Sequence, residues 1–171
     1  MGIALPLRSA REEDGMASLT DLRAGWGRFK DLPGGRWLFS RLFSVAIPYS
    51  GTVRPHILEL APGRARIAMA DRRRVRNHLT SIHAIALANL AEMTTGLALG
   101  FGLPDGMRTI LTRLEVEFLK KARGRITATC DAPVFDRVEE KEVRVESILT
   151  NEAGEVVARG RAVWLAGPVT R

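Results

Sequence analysis

Glu92 is the residue whose surroundings in the sequence point most directly to chemistry. Between Leu79 and Pro104 it is the only acidic residue, and the same stretch contains no lysine or arginine that could pair with it. Burying an unpaired carboxylate is costly, so a buried Glu92 should have a raised pKa, and groups of this kind gather at functional sites. Such a carboxylate can act as a general base or as a nucleophile. The alternative is a structural carboxylate that faces a solvent crevice or caps another element.

Two polar residues should lie close to Glu92 if this stretch is a helix. Asn89 precedes it by three positions and Thr95 follows it by three, so a polar line is expected to cross an otherwise apolar helix. We predict that this side of the helix is wet or faces a ligand, with Asn89 and Thr95 as substrate-binding candidates. A packing role at a subunit interface is the alternative for Asn89.

The beginning of the same helix is a second place where chemistry is expected. Free backbone N–H groups and the helix dipole favour a developing negative charge at a helix N-terminus. The amides of Ala84 and Ile85 are therefore candidates for an oxyanion hole. Ordinary capping of the helix by Ser81, with His83 making only local contacts, is the alternative.

Hydrophobic periodicity predicts the elements that position these groups. A short amphipathic helix is expected over Arg36–Ile47, docked on the domain through Trp37, Leu38, Leu42, Phe43 and Val45. A hairpin of strands over Thr52–Leu60 and Arg64–Ala70 leads to the long apolar helix, which begins near Ile82 and ends at the glycines before Pro104.

Four strands are predicted after the long helix, centred on 110–118, 126–130, 143–146 and 156–165. In the first, Ile110, Thr112, Leu114, Val116 and Phe118 are expected on one face. A helix that is apolar on almost every side must be covered, and a curved antiparallel sheet of about six strands can cover it. We therefore predict the α+β hotdog fold over residues 36–171, preceded by an N-terminal lead-in, residues 1–35, that is partly flexible or helical and lies outside the core.

Composition limits the partners of the chain. The 171 residues carry a formal net charge of +7, which favours polyanions such as nucleic acid, a membrane surface or the phosphates of coenzyme A. Two basic clusters could meet such phosphates, and they comprise Arg72, Arg73, Arg74 and Arg76, and Lys120, Lys121, Arg123 and Arg125. Nucleic acid ranks last, because aromatic residues make up only 6% of the chain and do not alternate with the arginines.

Cysteine usage and residue spacing indicate the compartment and the cofactors. Cys130 is the only cysteine, so no intrachain disulfide can form, and we expect a cytoplasmic protein in which Cys130 is a core residue of a strand. No spacing of histidine and cysteine suggests a metal, and no cofactor is predicted. The apolar stretch contains His83, Asn89 and Glu92, so we expect no membrane span.

The loop and helix described above resemble those of hotdog thioesterases of the phenylacetate-pathway type. The segment Asn77–Ala84, with Glu92 nine positions after His83, is similar to the Asn-x-x-Gly-x-x-His-Gly-Gly loop and the helix Asp or Glu of that family. The chain looks closest to small thioesterase-like hotdog proteins of the DUF4442 type, and the likeness covers roughly residues 36–166. By this resemblance, Glu92 activates water or attacks the carbonyl, and Asn77 or His83 positions the substrate.

The resemblance implies an acyl-CoA thioesterase. The expected substrate is a fatty or aromatic acyl thioester, bound at a site shared between the subunits of a homodimer or homotetramer, with an amide of Ala84 or Ile85 polarising the carbonyl. One departure stands out, because Ala84 and Ile85 occupy the places of two glycines in the pattern. A non-catalytic acyl-CoA binding or sensing protein is therefore the alternative function.

Overall fold

The described part of the chain forms four helices and a single antiparallel sheet of six strands. A computed structural model describes residues 18–169. The helices are α1 (Leu19–Phe29), α2 (Gly35–Ala46), α3 (Pro48–Gly51) and α4 (Ala84–Phe101). The strands are β1 (His56–Ala61), β2 (Arg64–Met69), β3 (Met107–Phe118), β4 (Ile126–Asp131), β5 (Lys141–Thr150) and β6 (Val156–Pro168).

The six strands form one sheet in the order β1-β2-β4-β5-β6-β3, and every neighbouring pair is antiparallel. Helix α4 lies against the inner face and contacts all six strands. Leu90, Ala91, Ala98 and Leu99 on this helix are fully buried. The prediction of an α+β hotdog fold, with a curved sheet around one apolar helix, is confirmed.

Helix α4 also has the length and hydropathy of a membrane span. In the folded chain, however, 72% of its residues are buried inside the protein, since the sheet covers them. The helix begins at Ala84 rather than near Ile82, because His83 still has an extended backbone with ψ of 140°.

The face pattern predicted for β3 holds for only part of the strand. A β-bulge places Leu111 and Thr112 opposite the single residue Trp164 of β6. The extra residue reverses the alternation, so Leu111 faces inward before the bulge and Leu114 faces inward after it. Ile110 and Thr112, predicted to lie on the same face as Leu114, are therefore exposed on the opposite, outer side.

The N-terminal segment contributes to the core. Leu22 and Trp26 of α1 are 7% and 5% exposed, and the Trp26 ring meets Phe39 of α2 edge to face. The prediction that this segment lies outside the core is therefore wrong for α1. The part of the lead-in before residue 18 lies outside the described residues.

Helix α2 docks through a different face from the one predicted. Phe39, Ser40 and Phe43 are buried, whereas Trp37 and Val45 are 60% and 78% exposed. Of the five apolar residues predicted to face the domain, only Phe43 does. The helix packs on α1 and β1, and the aromatic rings of Phe39 and Phe43 fill that contact.

The two edge strands of the sheet differ in whether their free backbone groups have hydrogen-bond partners. At β1, side chains of α1 and α2 bind the backbone: Trp26 Nε1 donates to Leu60 O (2.7 Å), Arg36 Nη1 donates to Leu58 O (2.9 Å), and Ser40 Oγ accepts from Ile57 N (2.8 Å). At the other edge, β3 is a 12-residue strand that pairs only with β6 among the described strands. An uncovered edge of this length is a surface on which another strand can pair.

The close approach of α4 to β6 generates the first prediction. A methyl group added at Gly160 would lie 2.6 Å from Ala91 Cβ and 2.9 Å from Ser147 Oγ. Gly160→Ala should therefore lower the free energy of unfolding by about 1–3 kcal/mol, as overpacking does. Urea unfolding measures this change.

Gly27 supplies the matched control, since a methyl there meets no atom within 4 Å and the residue lies inside α1. Gly27→Ala should raise stability by up to about 1 kcal/mol through helix propensity. Equal stability of Gly160→Ala and the unaltered chain would contradict the helix–sheet contact described here.

Candidate active site

Glu92 lies in the middle of α4 with its side chain half-buried. Burial raises the pKa of its carboxyl above the ordinary value, and no other cause contributes. Within residues 18–169 no side chain forms an ion pair with this carboxylate or donates a hydrogen bond to it. The carboxylate is thus partly desolvated without compensation, which is the condition that the sequence predicted.

Helix α4 is accessible to solvent along a single line of residues that passes through Glu92, and we call this line the opening over α4. Beyond the first turn of the helix, only Ala88, Glu92 and Gly96 are partly exposed, and they are spaced by four residues. Residues at this spacing lie one above another on the same helix face. Glu92 is therefore the one ionisable group on an otherwise apolar, narrow opening.

Asn89 is 9% exposed, and only one of its two side-chain polar atoms has a hydrogen-bond partner. Its Nδ2 donates to the carbonyl of Tyr49 (3.2 Å), which ties α4 to α3, but its buried Oδ1 has no donor in the described chain. Asn89 lines a cavity of about 220 Å³ together with Tyr49, Arg74, His83 and other residues near the beginning of α4. A ligand with an N–H or O–H group could satisfy the free oxygen there.

Thr95 does not face the opening. It is fully buried, its hydroxyl donates to the carbonyl of Glu92 (2.8 Å), and the hydroxyl oxygen accepts from Trp164 Nε1 (3.2 Å). Its role in the described structure is to hold α4 against β6, one position away from Gly96, which packs on the same indole ring.

His83 is the N-cap of α4. Its Nδ1 accepts a hydrogen bond from Ile85 N–H at 3.1 Å, so the ring occupies one of the two amides predicted for an oxyanion hole. The Ala84 N–H has no acceptor within the described chain. Capping by Ser81, the predicted alternative, is wrong, because Ser81 is buried and its hydroxyl binds Asn77 Oδ1 instead.

Asn77 shapes the loop before α4. Its Oδ1 accepts hydrogen bonds from Leu79 N–H (2.9 Å) and Ser81 N–H (3.2 Å), and this turn holds Thr80 at a left-handed φ of 54°. Because these contacts occupy the side-chain oxygen, Asn77 positions the loop that leads to His83 and the helix N-terminus.

Glu92 and the free amide at the helix start are too far apart to act on the same atom within one chain. Eight residues separate Ala84 from Glu92, which corresponds to about 12 Å along a helix axis. One carbonyl group cannot contact both. A single chain therefore holds two parts of a site that do not meet.

The two basic clusters come together beside the beginning of α4. Asp71 joins their loops, since its carboxylate accepts from Arg76 Nε (2.6 Å) and from Gly124 N–H (3.1 Å). Ile82 N–H also donates to Ala122 O (2.8 Å). These contacts create a basic rim, which we define as Arg72, Arg73, Arg74, Arg76, Lys120, Lys121, Arg123 and Arg125.

The residues of the basic rim differ in their availability. Arg72 Nη2 donates to Val53 O, Arg76 pairs with Asp71, and Lys120 pairs with Glu155 at 2.6 Å. The exposed Arg73, Arg74, Lys121, Arg123 and Arg125 form no ion pair within residues 18–169 and could bind an external anion.

Other features of the molecule do not enter this site. A depression of about 740 Å³ lies on the outer face of β3, β5 and β6, where ion pairs such as Arg161–Glu146 line it, whereas α4 packs on the inner face. Cys130 is buried in β4 as predicted, and burial together with Asp131 and Glu146 raises the pKa of its thiol to about 12. Residues 18–169 contain no cluster of three or more histidine, cysteine or acidic side chains that could hold a metal.

The sequence matches the family model of a domain of unknown function, DUF4442, over residues 35–165. The chain belongs to the DUF4442 family. No curated protein matches it. The match runs from the first residue of α2 into β6 and includes both parts of the site.

Solved structures share the fold of this DUF4442 chain. One structural-genomics target is 27% identical, with a TM-score of 0.71 over 86% of this chain and 98% of that one. A Pseudomonas aeruginosa protein of unknown function, named a probable thioesterase, is 25% identical (TM-score 0.68; 80% and 97% covered). A Staphylococcus aureus thioesterase is 16% identical, with a TM-score of 0.63 over 71% and 99%, and indicates the fold alone.

The raised pKa of Glu92 generates the second prediction. The folded chain holds the Glu92 proton to higher pH than the unfolded chain, so stability from this group is full below the ordinary pKa of 4.5 and is lost as the pH rises through the raised value. Glu92→Gln should therefore become progressively more stable than the unaltered protein as the pH increases. Urea unfolding from acidic to neutral pH measures the difference, and a difference that is constant or shrinks with pH would contradict the desolvation of Glu92.

Proposed function

We propose that this DUF4442 protein is a thioesterase that hydrolyses an acyl thioester with the help of the Glu92 carboxylate. The observation that carries the proposal is an unpaired, partly desolvated carboxylate on the only open line of a core helix. The thioesterase names of two proteins with the same fold add support.

The chemistry follows from the two parts of the site. Glu92 accepts a proton from a water molecule, whose oxygen attacks the thioester carbonyl carbon. The carbonyl oxygen becomes an oxyanion, which the Ala84 N–H and the positive end of the α4 dipole stabilise. The intermediate then breaks its C–S bond, the acid forms, and the leaving thiolate takes the proton from Glu92. A raised pKa suits a group that must both accept and return a proton near neutral pH.

A homodimer would bring the two parts together. The uncovered edge of β3 can pair with β3 of a second copy, and a two-fold axis there sets the two α4 helices side by side and antiparallel. The free amide of one chain then approaches Glu92 of the other, which removes the separation of about 12 Å within each chain. We propose this dimer as the active unit, and two dimers could form a tetramer.

The basic rim supports coenzyme A as the thiol carrier. Its unpaired arginines and Lys121 lie beside the beginning of α4, where the phosphates of the nucleotide could bind while the pantetheine arm passes Asn89. The acyl group is a fatty or aromatic one, and the compartment we propose is the cytoplasm. No cofactor or metal is needed for the steps above.

The third prediction tests the role of Glu92. Glu92→Gln should lower kcat on a panel of acyl-CoA thioesters by about 10²–10⁴-fold, because the amide cannot accept the proton. Glu142→Gln, which changes an exposed glutamate on the outer face of β5, is the matched control and should leave kcat unchanged. Undiminished activity of Glu92→Gln would exclude Glu92 as the base, while tight acyl-CoA binding without turnover by the unaltered protein would select the acyl-CoA binding or sensing function.

The fourth prediction tests the shared site. Ala84→Pro removes the free N–H at the first helical position, where proline fits the helix, and the extended backbone of His83 tolerates a following proline. Neither Ala84→Pro nor Glu92→Gln should be active alone. An equal mixture after subunit exchange should regain about a quarter of the unaltered activity, since half of the dimers carry one intact site of two. A mixture no more active than the separate variants would exclude a site built from both chains.

A further inference from the structure

Helix α2 is apolar on both sides. Its inner side packs on α1 and β1, as described above. Its opposite side carries Trp37 (60% exposed), Leu38 (41%), Leu42 (49%) and Val45 (78%), and Tyr49 (71%) is exposed in the following helix α3. We call these five residues the outer α2 face. The outer side of a surface helix is normally polar, and a contiguous exposed apolar patch marks an interaction surface.

The charge around the outer α2 face has one sign. From Leu32 to Leu58 the sequence contains no acidic residue, but it contains Arg36, Arg41 and Arg54. Arg41 lies on the same side of α2 as Trp37 and Val45, four residues from each, and neither Arg41 nor Arg54 forms an ion pair within the described chain. These arginines are free to meet an anionic surface.

The positive charge continues beyond Tyr49. Tyr49 lines the cavity that Arg74 of the basic rim also lines. Burial lowers the pKa of the Arg72 guanidinium, and the charges of the nearby Arg54 and Arg74 lower it further. Arg54, Arg72 and Arg74, which form no ion pair among the described residues, therefore add positive charge next to Tyr49, and this charge increases the attraction of the surface for anions.

We propose that the outer α2 face docks the protein on an anionic lipid bilayer. The apolar side chains enter the boundary between headgroups and acyl chains, and the arginines bind the lipid phosphates. Tryptophan and tyrosine are the side chains enriched at this depth of a bilayer, and the outer α2 face contains one of each, Trp37 and Tyr49. The contact is peripheral and leaves α4 inside the sheet.

The charge distribution favours a bilayer over a second copy of the chain. A symmetric contact between two outer α2 faces would bring together two surfaces that both carry Arg41 and no acidic residue, so their charges would repel. The open strand edge at β3 also lies at the other end of the sheet from β1, on which α2 packs. Chain pairing at β3 leaves the outer α2 face available.

Vesicle binding with tryptophan fluorescence tests the proposal on the full chain. Of the three tryptophans, Trp26 and Trp164 are 5% and 6% exposed, so a change in emission reports Trp37. Vesicles of phosphatidylcholine with added phosphatidylglycerol should shift the emission to the blue and co-sediment with the protein, and added salt should weaken both effects. Vesicles of phosphatidylcholine alone should give neither.

Paired variants locate the contact. Leu42→Glu with Val45→Glu should weaken binding to the anionic vesicles by at least about tenfold, since it replaces apolar insertion by charge repulsion. Val138→Glu changes a comparably exposed valine (52%) in the loop between β4 and β5 and should bind normally. Circular dichroism checks that both variants fold, and Glu92→Gln should bind as well as the unaltered protein, which separates docking from the proposed hydrolysis.

Three results would overturn the proposal. The first is a failure of the unaltered protein to bind anionic vesicles, and the second is equal binding by the Leu42→Glu, Val45→Glu variant. The third combines two observations: the unaltered protein does not bind vesicles, and the Leu42→Glu, Val45→Glu variant has a smaller oligomeric mass than the unaltered protein. This result would assign the outer α2 face to contact between copies of the chain.

Discussion

The enclosure of α4 is the constraint on which the rest of this protein depends. The helix is apolar around nearly its whole circumference, so it is stable in water only if a sheet surrounds it. The sheet approaches closely where side chains are small, as at Ala91 and Gly160, and where polar groups are paired, as in the Thr95–Trp164 hydrogen bond. All six strands of the sheet thus pack against the same helix with their inner face.

Glu92 has its unusual properties because of that enclosure. A carboxylate on a surface helix would be fully hydrated, whereas here the neighbouring turns are covered and the opening is one residue wide. Desolvation without an ion pair costs folding free energy, and a site that uses the carboxylate gives a physical reason for retaining it. The same enclosure places the helix N-terminus at the surface, where its free amide and the basic rim are accessible.

The sequence predicts the features that depend on periodicity and misses those that depend on single contacts. The apolar helix, the alternation in β5 and the isolation of Glu92 follow from residue patterns, and the structure agrees with them. The β-bulge at Leu111 and Thr112 was missed, because the prediction extended the alternation of Leu114, Val116 and Phe118 back to Ile110, although the apolar pair Ile110–Leu111 interrupts that alternation. Capping by His83 was missed since serine is the usual cap, and only the fold shows that Ser81 is committed to Asn77. The docking side of α2 could not be predicted, because both of its sides are apolar.

The unequal edges of the sheet limit how copies of this chain can assemble. Trp26, Arg36 and Ser40 occupy the backbone groups of β1, so among the described strands only one side of the sheet can be extended. Strand pairing between two copies therefore uses the β3 edge of both copies, and neither copy then has a second free edge for a third. Assembly by this route stops at a closed pair, and the helices at the far end prevent the head-to-tail addition that would lead to fibres.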